Sequence, residues 1–195
     1  MSFNEYWEQI FRTNEKLNVL LQSYWHQYSY VNTWQFWTVM ALLVVPLIIL
    51  YFTVDRTRIF ELLFFGYTVH ILWSYIGMIL EKHGYFIHMY FLAPILPFAV
   101  HMNAAALPVG FLLLYQYCTG FKKRNFYFYA VLLSVGFAFG VASIEQWLGF
   151  LEFRKGMNHF HLVLIDLIIV YSAYWLTTFI LSKKESKTGI HEGSH

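Results

Sequence analysis

Apolar residues along the chain fall into five long runs separated by short polar breaks. The runs cover residues 34–54, 59–80, 91–117, 126–148 and 159–182. Each reaches the roughly 20 helical residues needed to cross a hydrocarbon core of about 30 Å. The breaks, at 55–58, 81–90, 119–125 and 149–158, are too short to hold a domain. The pattern predicts an all-α membrane protein: a bundle of five transmembrane helices over 34–182, followed by a polar tail over 183–195.

The segment 1–33 has a different period. Phe3, Ile10, Leu17 and Tyr24 recur every seven residues, and Trp7, Asn14, Leu21 and Tyr28 fill the second position of the same seam. That spacing puts them on one face of a helix of about 20–25 residues. With Trp7, Trp25 and several Tyr at headgroup depth, it is expected to be an N-terminal interfacial amphipathic helix lying on the outer surface. The alternative is a docking helix for a membrane protein partner or a second copy, with Asn14 setting register. Glu5, Glu8 and Glu15 stand where a secretory signal would be basic and then apolar, so the first span is expected to direct its own insertion.

Composition supports the membrane reading. Of 195 residues, 58% are hydrophobic and 12% charged, against about 45–50% and 25% in soluble domains. A soluble domain could not bury that much apolar surface. The net charge is +2, and the basic residues are scattered among loops, which argues against a nucleic-acid partner. Cys118 is the single cysteine, which excludes an internal disulfide and a thiolate-based zinc site. Eight basic residues (Arg56, Arg58, Lys122, Lys123, Arg124, Lys183, Lys184, Lys187) lie in the first and third breaks and the tail, against five on the other side. The excess predicts an outside N-terminus and a cytoplasmic C-terminus.

Ionisable groups inside spans carry the candidate chemistry, because lipid makes them costly. Tyr67, His70, Ser74, Gly77 and Glu81 are spaced 3, 4, 3, 4 and form one polar stripe along the second span. In the third span, Pro94, Pro97, His101, Ala105 and Pro108 share a face with Asn103 nearby, and Pro108 frees the carbonyl of Ala104. Gly136 and Gly140 have the spacing of a close helix contact. Glu145 lies near the outer end of the fourth span, and His159, His161 and Asp166 open the fifth. Read by depth, His70, His101, Asn103, Glu145, His161 and Asp166 make an intramembrane polar cluster.

Several chemistries are open to such a cluster. His159, His161, Glu145 and Asp166 are the possible ligands of a divalent metal, without the short spacing that would make a metal motif specific. Haem between His70 and His101 is a further alternative. Titratable groups beside a broken helix also suit a small-solute or proton-coupled ion transporter. The default is a non-catalytic membrane component (subunit, scaffold or sensor) without a cofactor, in which buried polar groups hold helices together.

The stretches Trp34-Gln35-Phe36-Trp37, Phe60-Glu61-Leu62-Leu63-Phe64-Phe65-Gly66-Tyr67, Leu107-Pro108-Val109-Gly110-Phe111-Leu112-Leu113-Leu114-Tyr115 and Leu151-Glu152-Phe153-Arg154-Lys155-Gly156-Met157-Asn158 carry a resemblance. They resemble an uncharacterised group of small multi-pass membrane proteins of spore-forming Gram-positive bacteria. The resemblance spans most of the chain from Trp34 onward. It implies a bacterial cell membrane and brings no activity, cofactor or catalytic residue.

Overall fold

The computed structural model describes residues 1–120 and 124–191, with side chains up to residue 183. Lys122 and Lys123 of the charge count, and the side chains of the polar tail after Lys183, lie outside the described residues. The elements are α1 (Phe3–Tyr28), α2 (Trp34–Thr53), α3 (Ile59–Lys82), β1 (Phe86–His88), α4 (Leu107–Thr119), α5 (Phe126–Val135), α6 (Ala142–Trp147), β2 (Leu151–Phe153) and α7 (His159–His191). One π-turn, Met102–Ala106, leads into α4, and a second, Gly136–Val141, joins α5 to α6.

Four helical segments are long and apolar enough to cross a membrane: Trp34–Thr53, Arg56–Lys82, Phe126–Trp147 and His159–Lys183. Their outer faces carry large apolar side chains in the open, among them Phe60 at 89% exposure and Trp147 at 84%. Exposed apolar surface on that scale calls for lipid rather than water.

The expected third span is the exception. Residues 91–99 are irregular, and helical backbone starts at Val100. Pro94 and Pro97 lack a donor and push the residue before each away from helix. They therefore end the helix instead of lining one face of it with His101. From Val100 onward the backbone is helical to Thr119, but His101, Asn103, Pro108 and Gln116 dilute its apolar character.

Pro108 also explains the first π-turn. The Leu107 N–H bonds to the Met102 carbonyl, five residues back. In that register the donor facing the Asn103 carbonyl would be the N–H of Pro108, which proline lacks. His70 Nδ1 donates to that carbonyl instead, at 2.8 Å. The freed carbonyl is thus that of Asn103, one residue before the expected Ala104, because the turn is widened.

The core packs α3, α4, α5 and α7 around Leu62, Phe65, Val69, Trp73, Phe111 and Tyr115. Phe65 stacks on Tyr115 at 4.5 Å, and Phe126 on Tyr174 at 4.6 Å. Helices α3 and α4 approach closely at Gly66, where an added Cβ would sit 2.6 Å from Leu112 Cδ1. Gly136 and Gly140 do not make such a contact: among the described residues, nothing beyond their own helix lies within 4 Å of a Cβ at either position. Their spacing falls in the π-turn, where the i,i+4 face is lost.

At the other end from the 55–58 break, the segments 81–90 and 149–158 are not plain loops. β1 and β2 pair antiparallel, with Phe86 opposite Phe153 and His88 opposite Leu151. Gly84, Gly149 and Gly156 supply the positive φ angles that turn the chain into and out of this ribbon. Helix α1 is longer than the sequence pattern suggests, and none of its residues is buried. Its last turn is attached: Tyr24 Oη donates to the Met89 carbonyl at 3.0 Å, and Trp25 Nε1 to the Leu92 carbonyl at 2.9 Å. Partial burial at this contact pushes the Tyr24 phenol above its ordinary value.

Candidate functional site

The β1–β2 ribbon folds over the bundle and delivers a histidine into it. Along β1, side chains alternate, so Phe86 and His88 point inward while Ile87 does not. His88 is 6% exposed and meets two buried groups from elsewhere in the chain, His101 at 0% and Glu145 at 4%. His101 stands at the start of the 100–119 helical stretch, just ahead of the first π-turn, and Glu145 in the middle of α6.

Each of these three residues offers one nitrogen or carboxylate oxygen, and the three atoms all lie within 4.8 Å of one another. His101 Nε2 is 3.1 Å from Glu145 Oε1. The His88 and His101 rings meet edge to face at 5.5 Å. Behind His88, its Nδ1 lies 2.8 Å from Oε1 of Glu81, at the end of α3. His101 Nδ1 is buried and has no hydrogen-bond partner among the described residues. Four elements therefore meet at one histidine–carboxylate centre.

A cavity of about 50 Å³ adjoins the centre, with His88, Glu145, Asp166, Asn103 and Trp73 in its wall. Phe86, Leu107, Phe137, Leu151 and Leu162 supply its apolar side. Asp166 is 2% exposed and accepts a hydrogen bond from Trp73 Nε1 at 2.9 Å. Asn103 packs its amide where an added Cβ on Gly77 would come within 2.7 Å of Nδ2. A water molecule needs about 10–15 Å³ of such space, whereas organic ligand pockets run to about 300–1,000 Å³. The cavity is therefore of the size of an ion with a few waters.

The structure brings together His101, Glu145, Asn103, Asp166 and Glu81 from the sequence reading and adds His88. It places the others apart. His70 bonds to the Asn103 carbonyl and lies 3.3 Å from Ser74. Tyr67 is 64% exposed, so the polar stripe turns outward at that end. The expected metal set of His159, His161, Glu145 and Asp166 does not converge. His159 Nε2 lies 3.1 Å from Ser143 Oγ, and His161 is exposed and bonded to Asn158. Both sit in the first turn of α7, where Asn158 captures His161 locally.

The opposite end of the bundle holds a second polar knot. The Arg58 guanidinium grips both oxygens of Glu61 at 2.5 and 3.1 Å and donates to Thr119 Oγ1. Tyr115 Oη donates to Glu61 at 2.7 Å. Nearby, the Thr57 hydroxyl, and after it the Thr57 N–H, hold the Asp55 carboxyl below the usual carboxylate range. All four residues of the knot find partners within it, which marks it as structural clamping between α3 and α4.

Comparison with protein-family models, with curated proteins and with solved structures finds no match to this chain. The functional reading rests on the geometry of the centre.

Proposed function

We propose that the protein is a non-catalytic integral membrane component whose histidine–carboxylate centre locks the ribbon onto the bundle and recognises nothing larger than an ion. The observation that carries this is the 50 Å³ cavity beside three buried groups. A space of that size suits an ion or a few waters better than an organic substrate. In this reading the 100–119 helix makes the fifth crossing, about 30 Å long at 1.5 Å per residue. Helix α1 lies on the outer surface of a bacterial cell membrane, and the C-terminus is cytoplasmic.

A proton or ion carrier is the second reading. Two π-turns flank the centre, one beside His101 and one ahead of Glu145, and π-turns are frequent at functional sites. Purified protein with Glu145→Gln separates the two. A structural role predicts a lower melting temperature in detergent and no pH-driven flux from the unaltered protein in proteoliposomes. A flux that the unaltered protein carries and Glu145→Gln abolishes, at unchanged melting temperature, would establish the carrier instead.

A further inference from the structure

We propose that His88, His101 and Glu145 bind one divalent transition-metal ion of the zinc class, with Glu81 orienting His88. This goes beyond the component reading above, which stands whether or not an ion binds.

The donor set comes first. Two imidazoles and one carboxylate make the nitrogen–oxygen combination that binds Zn²⁺ or Fe²⁺. In a tetrahedral site with bonds of about 2.0–2.1 Å, neighbouring ligand atoms stand about 3.3 Å apart. His101 Nε2 and Glu145 Oε1 are already 3.1 Å apart. The widest pair of the three donor atoms, within 4.8 Å, closes to that spacing by a side-chain shift of roughly 1.5 Å.

The surroundings point the same way. A ligating histidine ordinarily gives its other ring N–H to a carboxylate, which fixes tautomer and ring orientation. His88 has that partner in Glu81, through Nδ1 at 2.8 Å, so Nε2 is the nitrogen left for an ion. His101 offers Nε2, the nitrogen that already faces Glu145, and its buried Nδ1 points away from the ion. The two carboxylates, Glu81 and Glu145, together match the charge of a divalent cation. Buried charge is tolerated when it is matched in this way. Hard cations such as Mg²⁺ and Ca²⁺ require mostly oxygen ligands, so the site discriminates against them.

The test uses full-length protein in detergent, purified on a tag without histidine, stripped with chelator and titrated with Zn²⁺ and, for spectroscopy, Co²⁺. One equivalent of Co²⁺ should give the intense visible bands of a four-coordinate ion. Zn²⁺ should displace them, and excess Mg²⁺ or Ca²⁺ should not. An anaerobic Fe²⁺ competition ranks iron against zinc. His88→Asn should remove the bands, and Glu81→Gln should weaken binding about ten- to hundredfold. His161→Ala, and His191→Ala with His195→Ala, should leave binding unchanged. If His88→Asn fails to fold, the stoichiometry and spectrum of the unaltered protein decide the matter alone. The proposal is overturned if the unaltered protein shows no such bands, or if a folded His88→Asn variant retains them. Either result leaves the melting-temperature and flux tests of the component reading intact.

Discussion

Nε2 of His101 lies 3.1 Å from Oε1 of Glu145, across 44 residues of sequence and with both residues buried. The pair joins the start of the 100–119 helical stretch to α6. Removing one member leaves the other's buried polar group unsatisfied, at a cost of about 1–3 kcal/mol. His101→Ala and Glu145→Ala should each lower stability by that amount. The double variant should lose less than the sum, with a coupling of about 0.5–3 kcal/mol. Additive losses in detergent unfolding would mean that the two groups do not interact.

The His70 contact yields a sharper genetic test. His70→Leu leaves the Asn103 carbonyl without a donor, at about 1–3 kcal/mol. Pro108→Ala restores a backbone N–H that can fill the gap. The double variant should therefore be more stable than His70→Leu alone. If Pro108→Ala worsens it, the π-turn does not arise from the proline.

Glycines divide by their surroundings. Gly66→Ala pushes a methyl group into Leu112 and should cost about 1–3 kcal/mol. Gly136→Ala and Gly140→Ala meet open space and should be neutral within about 0.5 kcal/mol. A large loss at either would show that a second copy covers that face.

Helix α1 should be detachable at modest cost. Replacing Tyr24 and Trp25 by Phe removes two hydrogen bonds, each worth about 1 kcal/mol, to the segment after β1. Deleting residues 1–28 should leave the spans inserted and lower the melting temperature by a few degrees. Failure to insert would make α1 part of the bundle's folding nucleus.

The membrane-type helices were legible because their apolar runs are long and uninterrupted, and the convergence of His101, Glu145 and Asp166 followed from burying costly groups. His88 was not legible. It sits in a three-residue strand, too short for alternation to stand out, and it pairs with Leu151 of another three-residue strand 63 positions on. The turn glycines Gly84, Gly149 and Gly156 were the available signal. The first nine residues of the third run misled because Pro94 and Pro97 leave their apolar content intact while removing the helical backbone geometry. His159 and His161 misled because spacing along a helix says nothing of a local Asn158 that takes up one of them.

The central claim is that His88 and His101 are buried in one centre closed to anything larger than an ion with a few waters. Histidine footprinting with diethyl pyrocarbonate on the unaltered protein, read by mass spectrometry, tests it without any substitution. His26 and His83 are exposed and should be modified rapidly, while His88 and His101 should stay protected until the protein unfolds. Modification of His88 and His101 at the rate of His83 in the folded protein would contradict the account, because a centre open to a reagent of that size is a pathway rather than a lock.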